Sequence, residues 1–332
     1  MGVAESAPSV CVIGNLLIDL IVRGVDRLPE WGREVHGANH TMTSGGQAGY
    51  LASGLVALGL PASLIGNVGQ DGAGAQIIRD ISSRGVAVDG IELSQAGSTG
   101  LSVGVVRVDG ERAFVSDFAS LDEFDEALVL RHWDLVRRAT MVCLVGLFNL
   151  PSLDLGAAKR LLARARAEGK TTVLDTGWDP NGWQIETVDG ARSLVSQVDI
   201  FLPNAEEARA LSGKTDLMDA AIALEEMSGG GLVVIKRGAD GSLARRGGEA
   251  WESPAFQTEV QDTVGAGDVF NAGFLYGHLH RWEIPVAMSF ANAAASIYVS
   301  RSQDRFPNAS DVNDVAGLLR ANERGRDGTP HM

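Results

Sequence analysis

The second half of the chain alternates between helical patterns and short apolar runs, and this alternation limits the fold more than any other feature. Such alternation favours an α/β fold of three layers, with a mainly parallel central sheet and helices on both faces. The predicted strands are residues 140–146, 171–175, 199–202 and 232–236. The predicted helices are residues 124–138, 153–168, 188–196, 204–211, 217–227, 266–280, 285–300 and 311–320.

The first half predicts more of this sheet and, in addition, a second, smaller one. Residues 98–108 and 111–116 alternate in polarity and are joined by Asp109-Gly110, which is the strongest short signal for a hairpin. Together with exposed strands expected at 21–25 and 34–43, they form a discontinuous lid from about 20–44 and 97–120, because so small a sheet cannot bury its own faces. The remaining predictions are strands at 9–14 and 61–68, helices at 45–59 and 71–85, one domain spanning 1–332 and a frayed tail at 322–332.

Charge and composition exclude several classes of function. The net charge of −14 and the pI of about 4.9 argue against a nucleic-acid or membrane partner. No run approaches 18 apolar residues, and the first residues lack the pattern of a signal peptide. Cys11 and Cys143 lie in apolar runs, as core thiols of a reducing compartment do. We therefore expect a cytoplasmic protein.

A glycine turn opens the helix predicted at 266–280. Gly265-Ala266-Gly267-Asp268 runs into a continuous apolar pattern. The unpaired N–H groups of such a turn and the positive end of the helix dipole form an anion site. The dipole is expected to keep Asp268 ionised, so that this carboxylate can accept a proton beside a bound phosphate. An anion site with an adjacent base is what phosphoryl transfer to a hydroxyl requires; the alternative is a plain helix start with a capping acid.

Further motifs stand in a fixed order along the chain. They are Gly45-Gly46 at a helix start, Gly66 to Asp71, Asn204 to Glu207, Val234 to Gly241, and Asn292, and they follow an acid, Asp19, just past the first predicted strand, where α/β sheets bind ligands. With residues 262–268 they resemble the ribokinase-like (PfkB) carbohydrate kinases over about residues 9–320. No P-loop motif occurs, and no dinucleotide fingerprint follows the first strand. The resemblance implies a ribokinase-like fold and an ATP-dependent kinase that phosphorylates a hydroxyl of a small sugar or sugar acid.

The resemblance also implies roles for individual residues. Asp268 is the general base, and the N–H groups of Gly265, Ala266 and Gly267 are the anion hole. The implied nucleotide contacts come from Asn204, Glu207, Lys236, Gly238, Gly241 and Asn292. The implied substrate contacts come from Asp19, Gly45, Gly46, Gln47 and Tyr50. Glu207 helps to place Mg²⁺ through water, and Asp262 and Thr263 are where many members bind a monovalent cation such as K⁺.

Four of these residues have structural alternatives. Asn204 and Glu207 also fit a helix cap with its capping-box partner. Lys236 fits a solvated strand end, and Asn292 fits a buried helix contact.

The sequence departs from the family pattern at the substrate side. Tyr50 and Leu17 stand where many sugar-kinase members have asparagine, and Gln47 replaces a lysine. Tyr50, with Phe114 and Phe118 of the lid, could stack on a nucleobase, which keeps a nucleoside kinase as the alternative. A non-catalytic sugar- or nucleotide-binding regulator is the third reading. Residues 300–304 replace the small Gly-Ala stretch that is usual in the family, which leaves activation by a monovalent cation open. The exposed edges of the lid strands suggest a homodimer.

Overall fold

A computed structural model describes residues 8–95, 97–109, 111–302 and 304–317 of the chain. The tail predicted at residues 322–332 lies outside these ranges. Within them, no helix combines the length and the apolar character needed to cross a bilayer.

Strands and helices follow one another in the order expected for an α/β protein. The strands are β1 Val10–Gly14, β2 Leu17–Val25, β3 Asn39–Gly45, β4 Ala62–Gly69, β5 Ala87–Ser94, β6 Gly100–Arg107, β7 Arg112–Asp117, β8 Met141–Val145, β9 Thr171–Asp175, β10 Ile200–Phe201, β11 Leu232–Lys236, β12 Ser242–Arg246 and β13 Glu249–Ser253. The helices are α1 Gly46–Ala57, α2 Gly72–Ser83, α3 Glu126–Arg131, α4 Trp133–Arg138, α5 Leu155–Ala167, α6 Ile185–Val195, α7 Ala205–Ser212, α8 Leu217–Met227, α9 Ala266–Leu279, α10 Ile284–Ser300 and α11 Ala309–Ala316.

The large sheet has the strand order β13-β12-β11-β10-β9-β8-β1-β4-β5. Its strands are parallel from β5 to β11, and β12 and β13 are antiparallel additions at one edge. One apolar core joins one face of this sheet to α1, α2, α9 and α10, and a second core joins the opposite face to α3–α8. The predicted three-layer α/β fold is confirmed.

The small sheet has the order β3-β2-β6-β7. β2 pairs antiparallel with β3 and parallel with β6, and β6 pairs antiparallel with β7. The predicted second sheet from two separate segments is therefore confirmed, although residues 34–38 do not belong to a strand. Asp19, expected just past the end of the first strand, instead lies inside β2 with its side chain buried. β2 starts earlier than predicted because Leu17, Ile18 and Ile21 are core residues.

Two segments differ from their predicted structure. The helix predicted at 124–138 is divided at His132, which leaves the helical conformation and bonds Glu92 at 2.9 Å. β5 was not predicted, because it is an edge strand whose polar residues interrupt the apolar pattern of a buried strand.

Small residues hold α9 close to its neighbours. A Cβ atom on Gly54 of α1 would lie 2.9 Å from the Cβ of Ala272, and one on Gly273 would lie 2.9 Å from the Cα of Ala291 in α10. Such close approach leaves little freedom for α9 to shift. The first turn of α9, which carries Asp268, is thereby fixed in place.

Candidate active site

The start of α9 requires glycine at position 265. Gly265 has φ = +81°, a left-handed conformation that favours glycine. A Cβ atom there would lie 2.8 Å from the Tyr298 hydroxyl and 2.9 Å from the Tyr50 ring. The Ala266 N–H donates to the Thr263 carbonyl at 3.1 Å, so one of the three N–H groups predicted for the anion hole already has a partner.

Asp268 lies in the first turn of α9 and is only 7% exposed. Burial raises the pKa of its carboxyl well above the usual range, and the nearby Asp175 raises it further, although Lys236 opposes both. The Asp268 carboxyl therefore does not have the lowered pKa that the dipole at a helix start would give it. Desolvation and neighbouring carboxylates outweigh the dipole, as is common for buried acids. A carboxyl with a raised pKa is a stronger proton acceptor once it is ionised.

Lys236 at the end of β11 forms a buried ion pair with Asp175 at the end of β9. Asn271 of α9 donates to the same Asp175 oxygen at 2.6 Å. Burial alone would lower the pKa of the Lys236 ammonium, but the Asp175 and Glu207 carboxylates raise it overall. With its side chain 12% exposed, Lys236 is not a solvated strand end. A Cβ on Gly267 would lie 3.7 Å from the Lys236 Nζ, so the ammonium flanks the turn that opens α9.

Sequence reasoning missed Asp175, although its signal was present. An acid at the carboxyl end of a buried parallel strand faces the crevice where such sheets bind ligands. The same reasoning selected Asp19 but was not applied to residues 171–175.

Asn204 and Glu207 form the capping box that was weighed as an alternative to a ligand site. The Glu207 N–H donates to Asn204 Oδ1 at 2.9 Å, and the Asn204 N–H donates to Glu207 Oε2 at 2.8 Å. The Asn204 side-chain amide also donates to Glu207 Oε1 at 2.6 Å. Burial and then Asp175 raise the pKa of Glu207 to about 7. The cap fixes a buried, easily protonated carboxyl close to Lys236 and Asp175.

Asp19 and Tyr50 meet on the substrate side of the predicted site. The Tyr50 hydroxyl donates to Asp19 Oδ2 at 2.8 Å, and a Cβ on Gly45 would lie 2.6 Å from the same oxygen. Burial raises the pKa of Asp19 to about 6, although the Tyr50 hydrogen bond lowers it. Tyr50 is only 3% exposed and packs edge-on against Tyr298, so its ring is not free to stack on a nucleobase as suggested.

Gln47 lies against two glycines at the ends of β8 and β9. A Cβ on Gly177 would lie 2.5 Å from Gln47 Oε1, and one on Gly146 would lie 2.0 Å from Asn15 Oδ1. Asn15 Oδ1 is buried and has no hydrogen-bond partner within the described part of the chain. Gly46 has φ = +76° and likewise leaves no room for a side chain, since a Cβ there would lie 2.4 Å from the Asn15 carbonyl. These glycines let the chain pack closely around the polar side chains.

The residues predicted to lie along the nucleotide differ in what they contact. Asn292 donates to Ser242 Oγ and to the Ser253 hydroxyl and carbonyl, each at 3.1 Å. This buried contact ties α10 to β12 and β13, as the structural alternative for Asn292 proposed. Gly241 has φ = +84°, and a Cβ there would lie 2.0 Å from the Ser253 carbonyl. Gly238 has φ = +59°, and a Cβ there would meet no other atom within 4 Å.

Arginines contact the two residues predicted to bind a monovalent cation. Asp262 Oδ2 pairs with Arg305 at 2.8 Å and with Arg23 of β2 at 2.6 Å. Thr263 Oγ1 accepts a hydrogen bond from Arg112 of β7. The small sheet is therefore fastened to the segment that precedes Gly265.

The fold and the glycine turn beside buried acids define a class of phosphotransferases. Residues 7–311 match the pfkB family carbohydrate kinases, and the chain belongs to this family. It is a sugar kinase, which transfers phosphate to a hydroxyl group, and the resemblance drawn from its motifs is confirmed.

Relatives of this chain are named for several acceptors. The chain is 30% identical over 311 residues to the ATP-dependent ribose-1-phosphate kinase of Halopiger xanaduensis, covering 92% of this chain and 96% of that one. It is 28% identical over 320 residues to the 5-dehydro-2-deoxygluconokinase of Geobacillus kaustophilus, covering 90% and 91%. The structure of Arabidopsis thaliana ribokinase with ribose and ATP is similar in fold, with a TM-score of 0.77, 23% identity and coverage of 94% and 99%.

Proposed function

We propose that the enzyme transfers the γ-phosphate of ATP to a hydroxyl of a small sugar or sugar acid, with Asp268 as the general base. The observation that carries this is the position of Asp268. It is a buried carboxyl with a raised pKa, one helical turn from a glycine in left-handed conformation and close to the Lys236 ammonium. The Halopiger relative is named as ATP-dependent, and the Arabidopsis ribokinase was solved with ATP, which supports the choice of donor.

The transfer follows from this arrangement. The acceptor oxygen forms a bond to the γ-phosphorus, its proton passes to Asp268, and the bond to the β–γ bridging oxygen breaks to release ADP. Charge on the transferring group is stabilised by the N–H groups at the start of α9 and by Lys236. Asn204 and Glu207 help to place the nucleotide phosphates, with Gly238, Gly241 and Asn292 further along the nucleotide.

Mg²⁺ fits the charge balance of the site. Asp175, Glu207 and Asp268 are three buried carboxyls that share one ammonium, Lys236, and their mutual repulsion contributes to the raised pKa values of Glu207 and Asp268. Mg²⁺ binds through one or two carboxylates, waters and substrate phosphates, and would supply the missing positive charge. Glu207 would hold it through water, since both of its oxygens already accept from Asn204.

The small sheet acts as a lid in this proposal. Water that entered the site would compete with the sugar as the acceptor, and a cover excludes it. The outer strands β3 and β7 expose Met42, Phe114 and Val115, so we include a homodimer in which two such sheets pair. Sedimentation at the mass of a single chain would contradict that dimer. The two buried free thiols, Cys11 and Cys143, are consistent with a reducing cytoplasm.

An acceptor panel tests the proposed function. We expect ADP release with Mg²⁺-ATP for one or a few members of a set of ketoses, aldoses, sugar acids, sugar phosphates and nucleosides. A sugar or sugar acid is expected to be preferred, because the Tyr50 ring is buried against Tyr298 and cannot stack on a base. Preference for a nucleoside would overturn the acceptor class. Nucleotide binding without turnover of any compound would favour a regulator.

The pH dependence of acceptor binding tests the role of Asp19. An ionised carboxylate accepts hydrogen bonds from sugar hydroxyls, and Asp19 has a pKa of about 6. The acceptor KM is therefore expected to rise as the pH falls through about 6. Tyr50→Phe removes a hydrogen bond that favours the ionised form, so this rise should begin at a higher pH. An acceptor KM profile that is identical in the variant would contradict the role, and the KM for ATP serves as the internal control.

A further inference from the structure

Arg305 makes an ion pair and additional hydrogen bonds to the segment that leads into the start of α9. Its Nη1 pairs with Asp262 Oδ2 at 2.8 Å. Its Nη2 donates to the carbonyls of Asp262 at 2.8 Å and Val264 at 3.2 Å. The guanidinium also lies 3.9 Å from the centre of the Tyr298 ring, and its side chain is only 11% exposed. One buried cation thus bonds the side chain and the backbone carbonyl of Asp262 and the backbone carbonyl of Val264.

The bonded residues immediately precede the proposed anion hole. Val264 is followed by Gly265, and the carbonyl of the intervening Thr263 accepts from the Ala266 N–H. The Tyr298 hydroxyl approaches the Cα of Gly265 so closely that a Cβ there would lie 2.8 Å from it. Arg305 therefore sets the path of the backbone whose N–H groups receive the phosphoryl group.

The oxygens at this place do not fit a monovalent cation. Such an ion needs several free oxygen ligands. Asp262 Oδ2 already has two guanidinium partners, Arg305 and Arg23, and the carbonyls of Asp262 and Val264 accept from Arg305. Thr263 Oγ1 accepts from Arg112. A further cation would meet occupied oxygens and like charges.

We propose that Arg305 is the positioning residue of the anion hole and that it replaces a monovalent cation there, which makes the enzyme independent of K⁺. A guanidinium is always charged and presents several donors in a rigid plane, so it can hold a carboxylate and two carbonyls together. The proposal rests on the proposed kinase function in that the held turn receives the transferring phosphate.

Arg23 provides a matched control. It pairs with the same carboxylate oxygen of Asp262, and its other hydrogen bond goes to Thr41 of the small sheet. Arg23→Ala therefore removes one of the same two charges but leaves the contacts to the two carbonyls. Arg301 pairs with Asp311 nearby in the chain and reaches neither Asp262 nor Val264 with the bonds described, so Arg301→Ala controls for local loss of stability.

The experiment compares turnover in KCl with turnover in tetramethylammonium chloride at equal ionic strength. The wild type is expected to give the same kcat in both salts. Arg305→Ala is expected to lose about 10²-fold in kcat, as for one well-placed donor to an anion hole, with a smaller change in the KM for ATP. K⁺ or millimolar guanidinium should restore part of its rate, while Arg23→Ala and Arg301→Ala should show no such rescue. Arg305→Lys keeps the charge, so its kcat should lie between those of the wild type and Arg305→Ala.

A second measurement does not depend on turnover. A cation that binds only the native protein raises the melting temperature. KCl in place of tetramethylammonium should raise the Tm of Arg305→Ala but not that of the wild type. Strong K⁺ activation or K⁺-dependent Tm of the wild type would overturn the proposal, as would a wild-type kcat for Arg305→Ala or equal K⁺ rescue of Arg23→Ala. If the proposed kinase function is wrong, the wild type will show no turnover. The Tm comparison would still test whether Arg305 takes the place of a monovalent cation.

Discussion

Asp268→Asn is expected to remove nearly all phosphoryl transfer while the protein still binds ATP with nearly unchanged affinity. The amide keeps the size of the side chain but cannot accept the proton of the sugar hydroxyl. General-base contributions typically amount to about 10²–10⁴-fold, so kcat should fall by that factor. Single-turnover kinetics and calorimetric titration of the nucleotide measure the two properties separately.

The pH profile provides a sharper form of the same test. Because burial and Asp175 raise the pKa of Asp268, the wild-type rate should increase with pH well beyond the range in which an ordinary aspartate ionises. Asp268→Asn should lose this dependence. Asp216→Asn is the matched control, because Asp216 caps α8 away from the site and asparagine is an equally good cap. A variant at position 268 that retained more than about a tenth of the rate would show that another group is the base.

Lys236→Met is expected to lower the free energy of unfolding by about 3–5 kcal/mol at neutral pH, because it leaves the Asp175 carboxylate buried without its cation. Asp175 is 1% exposed, so water cannot replace the lost partner. Urea denaturation followed by circular dichroism measures the change. Turnover should fall as well, since the ammonium flanks Gly267.

A second variant separates the unpaired charge from the loss of packing. Lys236→Met combined with Asp175→Asn replaces the stranded carboxylate with a neutral amide, so the double variant should be more stable than Lys236→Met alone. Arg301→Met, which breaks the more exposed pair with Asp311, should cost less than about 1 kcal/mol. If the single and double variants were equally destabilised, the unpaired Asp175 carboxylate would not be the cause of the lost stability.

Much of the fold could be predicted because its signals are local. β11 and α8 were predicted at their observed bounds, since a short apolar run and a helical period depend on neighbouring residues only. The glycine turn before α9 was found for the same reason. The division at His132 and the edge strand β5 were missed, because a contact to Glu92 and the position at the sheet edge depend on distant parts of the chain.

The sequence predicted only part of the candidate site. Asp268, Lys236, Glu207 and Asp19 were named from their motifs, and the structure places all four among buried charged groups. Asp175 was not named, although it touches Lys236 across 61 residues of sequence. The burial of Tyr50 against Tyr298 removed the suggested stacking role, which no local pattern around residue 50 could have indicated.

The sequence by itself determined the α/β class, the two-segment small sheet, the kinase family and the turn that carries Asp268. The class and the sheets follow from periodicity and the turn follows from its glycines, which act through the backbone of adjacent residues. The family follows from the resemblance of the ordered motifs. Only the tertiary structure decided the raised pKa values of Asp268, Glu207 and Asp19, the pairing of Lys236 with Asp175, and the contacts of Arg305. Burial and Coulomb energy depend on which groups the fold brings within a few ångströms, and those groups lie far apart along the chain.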